Sequence, residues 1–343
     1  MPAPREIRVT VCACTYRRPA GLAALLEAVA RQRFVRRTPP RFDVVIVDNE
    51  GSEQAKRVCD DFSRAADVPI RYLHEPTRGI SYARNRGLDE APADCDFIVM
   101  VDDDEIPDPD WIEQLLQAQE DSGADVVEGR VVPVFPEGAP GWIVRGRYFG
   151  WHHDLSNAHR PGQQAYPELD EARTNNVLVR SVVVRTLGLR FDPRFALSGG
   201  GDIVFFRAIH AAGYRIVYAR DACVREMIPR ERTSLGFLCR RWYCVGANAR
   251  FKRSSARKPN ASLKRIVKLK WRSSGCSEIS TGLAMLTGSL LRGRAAVGHL
   301  APGLQRFAHG LGRAASAIGI RYEHYRYDGG EDLHSDPGHG VVR

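Results

Sequence analysis

The sequence of 343 residues predicts an α/β fold, with a mostly parallel sheet flanked by helices and a helical C-terminal extension. Three observations point there. Apolar strand-like runs alternate with helix-like segments through the first half, which calls for right-handed crossovers and a parallel sheet covered on both faces. Some of those runs are continuously apolar, as in strands buried on both sides. The last third is read as helices, strongly basic at its start.

Taken in order, "IRVTVCAC" (7–14) reads as a strand and "PAGLAALLEAVARQ" (19–32) as a helix opened by proline. "FDVVIVDN" (42–49) is a continuous apolar strand, followed by the helix-like "SEQAKRVCDDFSRAA" (52–66) and the short strand "PIRYLHE" (69–75). "GISYARNRGLDEA" (79–91) is helical, "CDFIVMVDD" (95–103) is a strand, "DPDWIEQLLQAQEDSG" (108–123) a helix and "ADVVEGRVVPV" (124–134) a strand. Residues 133–164 loosen into Gly, Pro and aromatics, as in a loop or lid. Regular structure resumes with "TNNVLVRSVVVRTLG" (174–188), a glycine turn leading into a helix near Asp202, the strand-like "RIVYARDACVREMIP" and the helix "SLGFLCRRWYCVGANARF" (234–251).

Composition narrows the field. No run of about 18 apolar residues predicts a spanning helix. The start "MPAPREIRVTVCAC" lacks the apolar core of a secretory signal, so the expected location is cytoplasmic. Eight scattered cysteines form no CxxC pair; Cys12 and Cys14 alternate on one strand face and read as small buried residues in a reducing compartment. The net charge is +9, and residues 250–272 hold ten Lys or Arg and no acid, which favours an anionic partner. No GxGxxG follows the first strand, which disfavours a dehydrogenase, and no GxSxG marks a serine hydrolase.

In parallel α/β sheets ligands sit beyond the carboxyl ends of the strands. Those ends carry "TYRR" (15–18), "DNEGS" (48–52), "EPTRG" (75–79) and "DDDE" (102–105). Three adjacent aspartates at the end of a buried strand suit a hard divalent cation, Mg²⁺ or Mn²⁺, shared with phosphate oxygens. Asp108 and Asp110 instead read as helix N-terminal anions. Asp48 is either a nucleoside acceptor or part of a turn. Arg78, Arg84 and Arg86 suit phosphate, although Arg84 and Arg86 cannot share a helical face. Asp202 after three glycines is either a helix cap or a base for an incoming hydroxyl. Trp242 either stacks on a ligand or packs a helix.

Together, "CTYRRP", "VIVDN", "GISYARNRGL", "VDDDEIPDPDW" and a downstream GG-x-D…R…AGY resemble, in order and spacing, a family 2 inverting glycosyltransferase of GT-A fold. The likeness runs from residue 7 to about 250 and extends to bacterial exopolysaccharide transferases of the succinoglycan type, which share "PRERTSL" (229–235) and a paired-arginine helix. The resemblance implies a nucleotide-sugar half at 1–132, an acceptor half at 133–250, a basic helical extension at 251–325 and a disordered tail at 326–343. It places Thr15, Tyr16, Arg18, Asp48 and Arg78 around the nucleotide. Asp102, Asp103 and Asp104 become the DxD element, with Asp104 on the metal, and Asp202 becomes the general base. Arg240 and Arg241 would clamp pyrophosphate while Trp242 stacks on sugar. The family's usual Gly-Gly-Glu-Asp and later acid are here changed to Gly201 and Val204, which admits a second reading as a weakened transferase or nucleotide-sugar-binding protein. The implied partners are a UDP-sugar donor and a lipid-linked glycan acceptor. The basic segment then rests on the inner face of an anionic membrane, and no nucleic-acid module is present. His152 and His153 receive no role.

Overall fold

The computed structural model describes residues 6–149, 165–254, 261–293, 296–323 and 341–342. These divide into two compact units. The first gathers described residues within 1–134, 150–196 and 201–227, and the second those within 135–149, 197–200 and 228–343.

The first unit is built on one nine-stranded sheet. Its strands are β1 (Arg8–Thr15), β2 (Arg41–Asp48), β3 (Ile70–His74), β4 (Phe97–Asp102), β5 (Glu105–Pro107), β6 (Val126–Val134), β7 (Glu168–Leu169), β8 (Asn176–Arg180) and β9 (Ile216–Met227). The order is β3-β2-β1-β4-β8-β6-β9-β5, with β7 beside β9. The four strands β3-β2-β1-β4 are parallel. β8 then enters antiparallel to both β4 and β6, while β6 and β9 run parallel to each other. The parallel pattern read from the first half therefore holds for β1 to β4, and the second half of the sheet is mixed.

Helices cover both faces: α1 (Pro19–Ala30), α2 (Glu53–Ala65), α3 (Ile80–Glu90), α4 (Trp111–Ser122), α6 (Ser181–Leu187) and α7 (Gly201–Ala211), with the short α5 (Gly141–Arg145) belonging to the second unit. Strand side chains alternate between faces. Val9, Val11 and Ala13 join Leu22, Leu25 and Leu26 of α1 and Trp111, Ile112 and Leu115 of α4 on one side. Cys12, Val45, Val47, Ile98 and Met100 join Ala83 of α3 and Phe205 and Phe206 of α7 on the other. Each such aliphatic or aromatic side chain contributes about 1.5–3 kcal/mol when fully buried. The two-sided core is why these runs are continuously apolar.

The parallel register decides where the polar tips fall. Thr15 lies level with Asp48, Asp48 with His74, and Cys14 with Asp102. One edge of the sheet thus collects the carboxyl ends of four strands. Farther along, the β6–β9 register shifts at Gly129/Arg130. Asn176 bridges this irregularity by donating to the carbonyls of Arg130 and Ala222, both at 2.9 Å, while accepting from Trp111 Nε1 at 2.7 Å.

The second unit is helical: α8 (Leu235–Ser254), α9 (Ala261–Leu291) and α10 (Val297–Ala317), with a two-stranded patch of β10 (Arg321–Tyr322) and β11 (Val341–Val342). Glycines let these helices approach backbone to backbone. Gly282 of α9 lies against the Gly303 carbonyl and the Phe307 amide of α10, where a methyl group would come within 2.8 and 2.6 Å. Gly246 of α8 and Gly312 of α10 lie against carbonyls of the opposite helix in the same way. These contacts put α8 in the second unit, which takes in residues from Ile228 onward as well as those within 135–149 and 197–200. Among the described residues no helix is long and apolar enough to cross a membrane.

Candidate active site

The tip of β4 is the most heavily charged feature of the first unit. After Asp102 the chain turns over Asp103 and Asp104 and returns as β5, antiparallel to β9. Asp103 is 4% exposed. Its carboxylate accepts from Thr15 Oγ1 at 2.8 Å and from Arg18 Nη1 at 3.0 Å. The same guanidinium nitrogen reaches Asp104 Oδ2 at 3.0 Å. Arg84 Nη2 approaches Asp102 Oδ1 at 3.4 Å, and its guanidinium also lies over the Phe191 ring. Arg86, on the opposite face of α3, pairs with Glu90 on the surface. The two arginines divide as their spacing requires.

The turn is held from below by a residue that the sequence pattern leaves without a role. Glu105 is buried; its Oε2 accepts the Asp102 amide at 3.0 Å and its Oε1 accepts Asn175 Nδ2 at 3.1 Å. Burial, followed by the charges of Asp102 and Asp104, pushes its carboxyl well above the usual range. Desolvation likewise raises Asp103 to about 6, against the lowering effect of Arg18. Asp102 is raised by burial too, with Asp104 and Asp202 adding to the rise and Arg84 opposing it. Four carboxyls in one turn outweigh two arginines, so the site favours additional positive charge or retained protons.

Asp202 stands in the first turn of α7 and its Oδ1 accepts the Ile203 amide at 2.8 Å. The adjoining Gly201 lies beside Ser81 of α3, the helix whose Arg84 reaches Asp102, and the Asp202 charge contributes to raising the Asp102 carboxyl. The helix begins at Gly201, which makes Asp202 a first-turn anion and not the cap. Gly201 itself is buried: a side chain there would start 3.2 Å from Phe195 Cβ and 3.6 Å from Ser81 Oγ. Asp108 and Asp110 do not cap α4 through their side chains either. Asp108 binds Arg225 and Asp110 accepts from Gln114, while Asp110 as N-cap makes no side-chain cap bond.

The β2 tip is ordered differently. Buried Asp48 accepts from the amides of Glu50 at 2.9 Å and Ser52 at 2.8 Å and from Tyr72 Oη at 2.8 Å. Of the roughly four acceptor positions of a carboxylate, three are taken. Asn49 accepts the Gly79 amide at 2.6 Å and donates to the carbonyls of Glu75 and Thr77, tying the loop after β3 to β2. Gly79 has a φ of 135° and packs on Ala196, a place only glycine fills without strain. Arg78 and Arg17 both lie against the Tyr16 ring, at 5.6 and 5.3 Å from its centroid, and Arg17 is anchored to Glu50 at 2.6 Å. A Tyr–Arg platform thus flanks the first two strand tips.

Three predicted site residues belong to the second unit. Trp242 belongs to the helical unit, is 2% exposed and packs on Tyr148 with Ile143 and Leu238 in one apolar cluster. That packing corrects the stacking role: a sugar has no access to the ring. Arg241 lies over the Phe149 ring and Arg240 is exposed, both in the helical unit. His152 and His153 fall outside the described residues. All eight cysteines are free, Cys12 is buried, and burial raises the Cys14 thiol to about 12.

The fit to a divalent cation can be judged from the donor set. Among the described residues no group of three or more His, Cys, Asp or Glu forms a metal cage. A nucleotide-bound Mg²⁺ or Mn²⁺ needs only one or two carboxylates plus phosphate oxygens. Asp104 and Asp103 converge on one point, which the Arg18 guanidinium fills with positive charge. These hard oxygen donors fit such an ion once Arg18 moves toward phosphate.

The comparisons with known proteins agree with this geometry. Residues 10–186 match the model of glycosyl transferase family 2. The chain is 32% identical over 240 residues to the succinoglycan biosynthesis protein ExoM of Rhizobium meliloti, covering 70% of this chain and 73% of that protein. It is 28% identical over 255 residues to the glucosyl-dolichyl phosphate glucuronosyltransferase of Haloferax volcanii, covering 71% and 77%. Among solved structures, the mannosyltransferase PcManGT of Pyrobaculum calidifontis, in complex with GDP-Man and Mn²⁺, superposes with a TM-score of 0.59 at 18% identity, over 92% of this chain and 87% of that one. The fold is that of the GT-A glycosyltransferases. The chain belongs to glycosyl transferase family 2, and it is a glycosyltransferase.

Proposed function

We propose that the enzyme transfers a sugar, with inversion, from a nucleoside-diphosphate sugar of the UDP class to a hydroxyl of a lipid-linked glycan, during exopolysaccharide assembly at the inner membrane face. The start of α7 beside α3, the helix whose Arg84 reaches Asp102, supports this reading by bringing Asp202 within electrostatic reach of Asp102. The ExoM likeness supports the polysaccharide context, and the glucuronosyltransferase likeness supports a lipid-borne acceptor.

In this reading Tyr16, Arg78 and the free acceptor position of Asp48 orient the nucleoside, and Arg18 turns from the aspartates to the diphosphate. Arg84 holds Asp102 toward the sugar. Asp202 takes the proton of the acceptor hydroxyl as its oxygen bonds to the anomeric carbon. The bond from that carbon to the phosphate oxygen breaks, and nucleoside diphosphate leaves. One displacement inverts the carbon. A divalent cation on Asp104, with Asp103 or Asp102, would neutralise charge on the departing diphosphate.

The buried position of Gly201 favours one second reading, a nucleotide-sugar-binding protein without turnover. Both are tested by thermal shift with nucleotide sugars and Mn²⁺, alongside release of nucleoside diphosphate in the presence of acceptor saccharides. We expect stabilisation by a uridine nucleotide sugar that Asp104→Asn loses, together with acceptor-dependent release. Stabilisation without release would favour the binding protein, and stabilisation undiminished in Asp104→Asn would remove that residue from the cation site.

A further inference from the structure

The helical unit carries a feature that the reaction does not use. Where α9 ends and α10 begins, Leu291 is 88% exposed, Leu290 55% and Val297 40%, with exposed Arg292 beside them. Leu283, seven residues before Leu290 and on the same face of α9, is 47% exposed. Leucines crowded at a helical hairpin tip have no packing reason to face water, because the α9–α10 contact is already made through Gly275, Gly282, Gly303 and Gly310.

Charge identifies the occupant. On the tip side of the unit, residues 279–322 contain five Arg and no acid, and the nearest acid along α9 is Glu278. That acid is engaged inside the unit, with Oε2 at 2.6 Å from His309 Nδ1 and Oε1 accepting Arg313 Nη1 at 2.9 Å. No carboxylate follows until Glu323. A second copy of so basic a unit would be repelled. Nucleic acid would meet the arginines but leave the leucines wet. A surface that takes apolar side chains a few ångströms below a layer of anionic groups satisfies both.

We infer that the α9–α10 tip, led by Leu290 and Leu291, is the element that seats this protein on an anionic lipid bilayer. The inference rests on the lipid-linked-acceptor reading for its purpose, and its evidence is independent of it. The two leucines enter the acyl boundary while Arg292 meets headgroup phosphates.

The test is co-sedimentation of the full chain with vesicles of phosphatidylcholine alone or with about one-third phosphatidylglycerol, for wild type, L290S/L291S and Val182→Ser. Val182 is 52% exposed in the sheet unit and controls for loss of any surface apolar group. Wild type and Val182→Ser are expected to partition onto the anionic vesicles only, and L290S/L291S to do so roughly tenfold more weakly or less. Thermal unfolding and nucleoside diphosphate release on a water-soluble acceptor are expected to match wild type in both variants. Equal partitioning of L290S/L291S would overturn the tip as the seat, while leaving membrane contact to the basic segment. Absence of wild-type binding to either vesicle would overturn the inference itself. So would wild-type self-association that L290S/L291S abolishes, since the tip would then be an interface between copies. Failure to release nucleoside diphosphate in wild type would instead remove the transferase reading, whatever the vesicles show.

Discussion

The tips of β2 and β4 both end apolar strands in buried acid, yet they are solved in opposite ways. At Asp48 the donors are two amides of its own turn and the phenol of Tyr72 on the adjoining strand. At Asp102 to Asp104 the acids meet the ends of two flexible arginines and one threonine hydroxyl. Fixed backbone donors make a carboxylate part of the fold. Mobile cationic side chains make it exchangeable, because a guanidinium can be replaced by another cation or swing to a phosphate. The difference separates an acid whose partners are fixed from one whose partners can exchange, where the sequence shows only aspartate after an apolar run.

The largest expected effect breaks the functional side. Asp202→Asn keeps the shape and the first-turn position but removes the proton acceptor, so turnover should fall by about 10²–10⁴-fold. Thermal stability and nucleotide binding should change little, which calorimetry and a steady-state assay would show. Turnover within a few-fold of wild type would remove Asp202 as the base.

The second experiment sharpens the contrast itself. In Asp48→Asn one of the two backbone amides faces an amide donor and loses its acceptor, at a cost of about 1–3 kcal/mol. In Asp104→Asn a partly exposed side chain loses one arginine contact, so the cost should stay below about 1 kcal/mol. Urea titrations of both variants give the comparison directly. If Asp104→Asn proved the more destabilising, the division between fixed and exchangeable partners would be wrong.

How far the sequence reached follows the same division. Strands β1, β2 and β4 were legible because burial on both faces demands continuous apolar runs, and the acidic tip stood out against them. β5 was not legible, since three residues carry no period. Glu105 was visible as a letter but not as a clamp, because Asn175 lies 70 residues away in sequence. Asn176 escaped for the same reason, 65 residues from the indole that it binds. α8 was read as a helix, but its membership of the helical unit depends on the close approach of Gly246 and Gly312, which no local pattern encodes. Trp242 could be read either way until Tyr148 was found against it.

The smallest effect concerns Asp103, which lies between the two modes: deeply buried, yet partnered by side chains alone. Its carboxyl is raised from 3.8 to about 6, chiefly by desolvation. The folded chain therefore holds a proton that the unfolded chain has already released, and stability falls as pH rises through that window. At neutral pH the buried charge costs at most about 3 kcal/mol, because each tenfold change in proton affinity is worth about 1.36 kcal/mol. Asp103→Asn removes the charge, while its oxygen can accept from Arg18 and its amide can donate to Thr15 Oγ1. Because hydrogen bonds to a neutral amide are weaker than those to a carboxylate, the net gain should be about 1 kcal/mol at pH 7 to 8. It should vanish below about pH 4, where the wild-type group is protonated in both states. Urea titrations at a series of pH values would show the two stability curves converging on the acid side. A variant less stable than wild type at pH 8 would mean that Arg18 already compensates the buried charge, which would place Asp103 with Asp48 among the acids held by fixed partners.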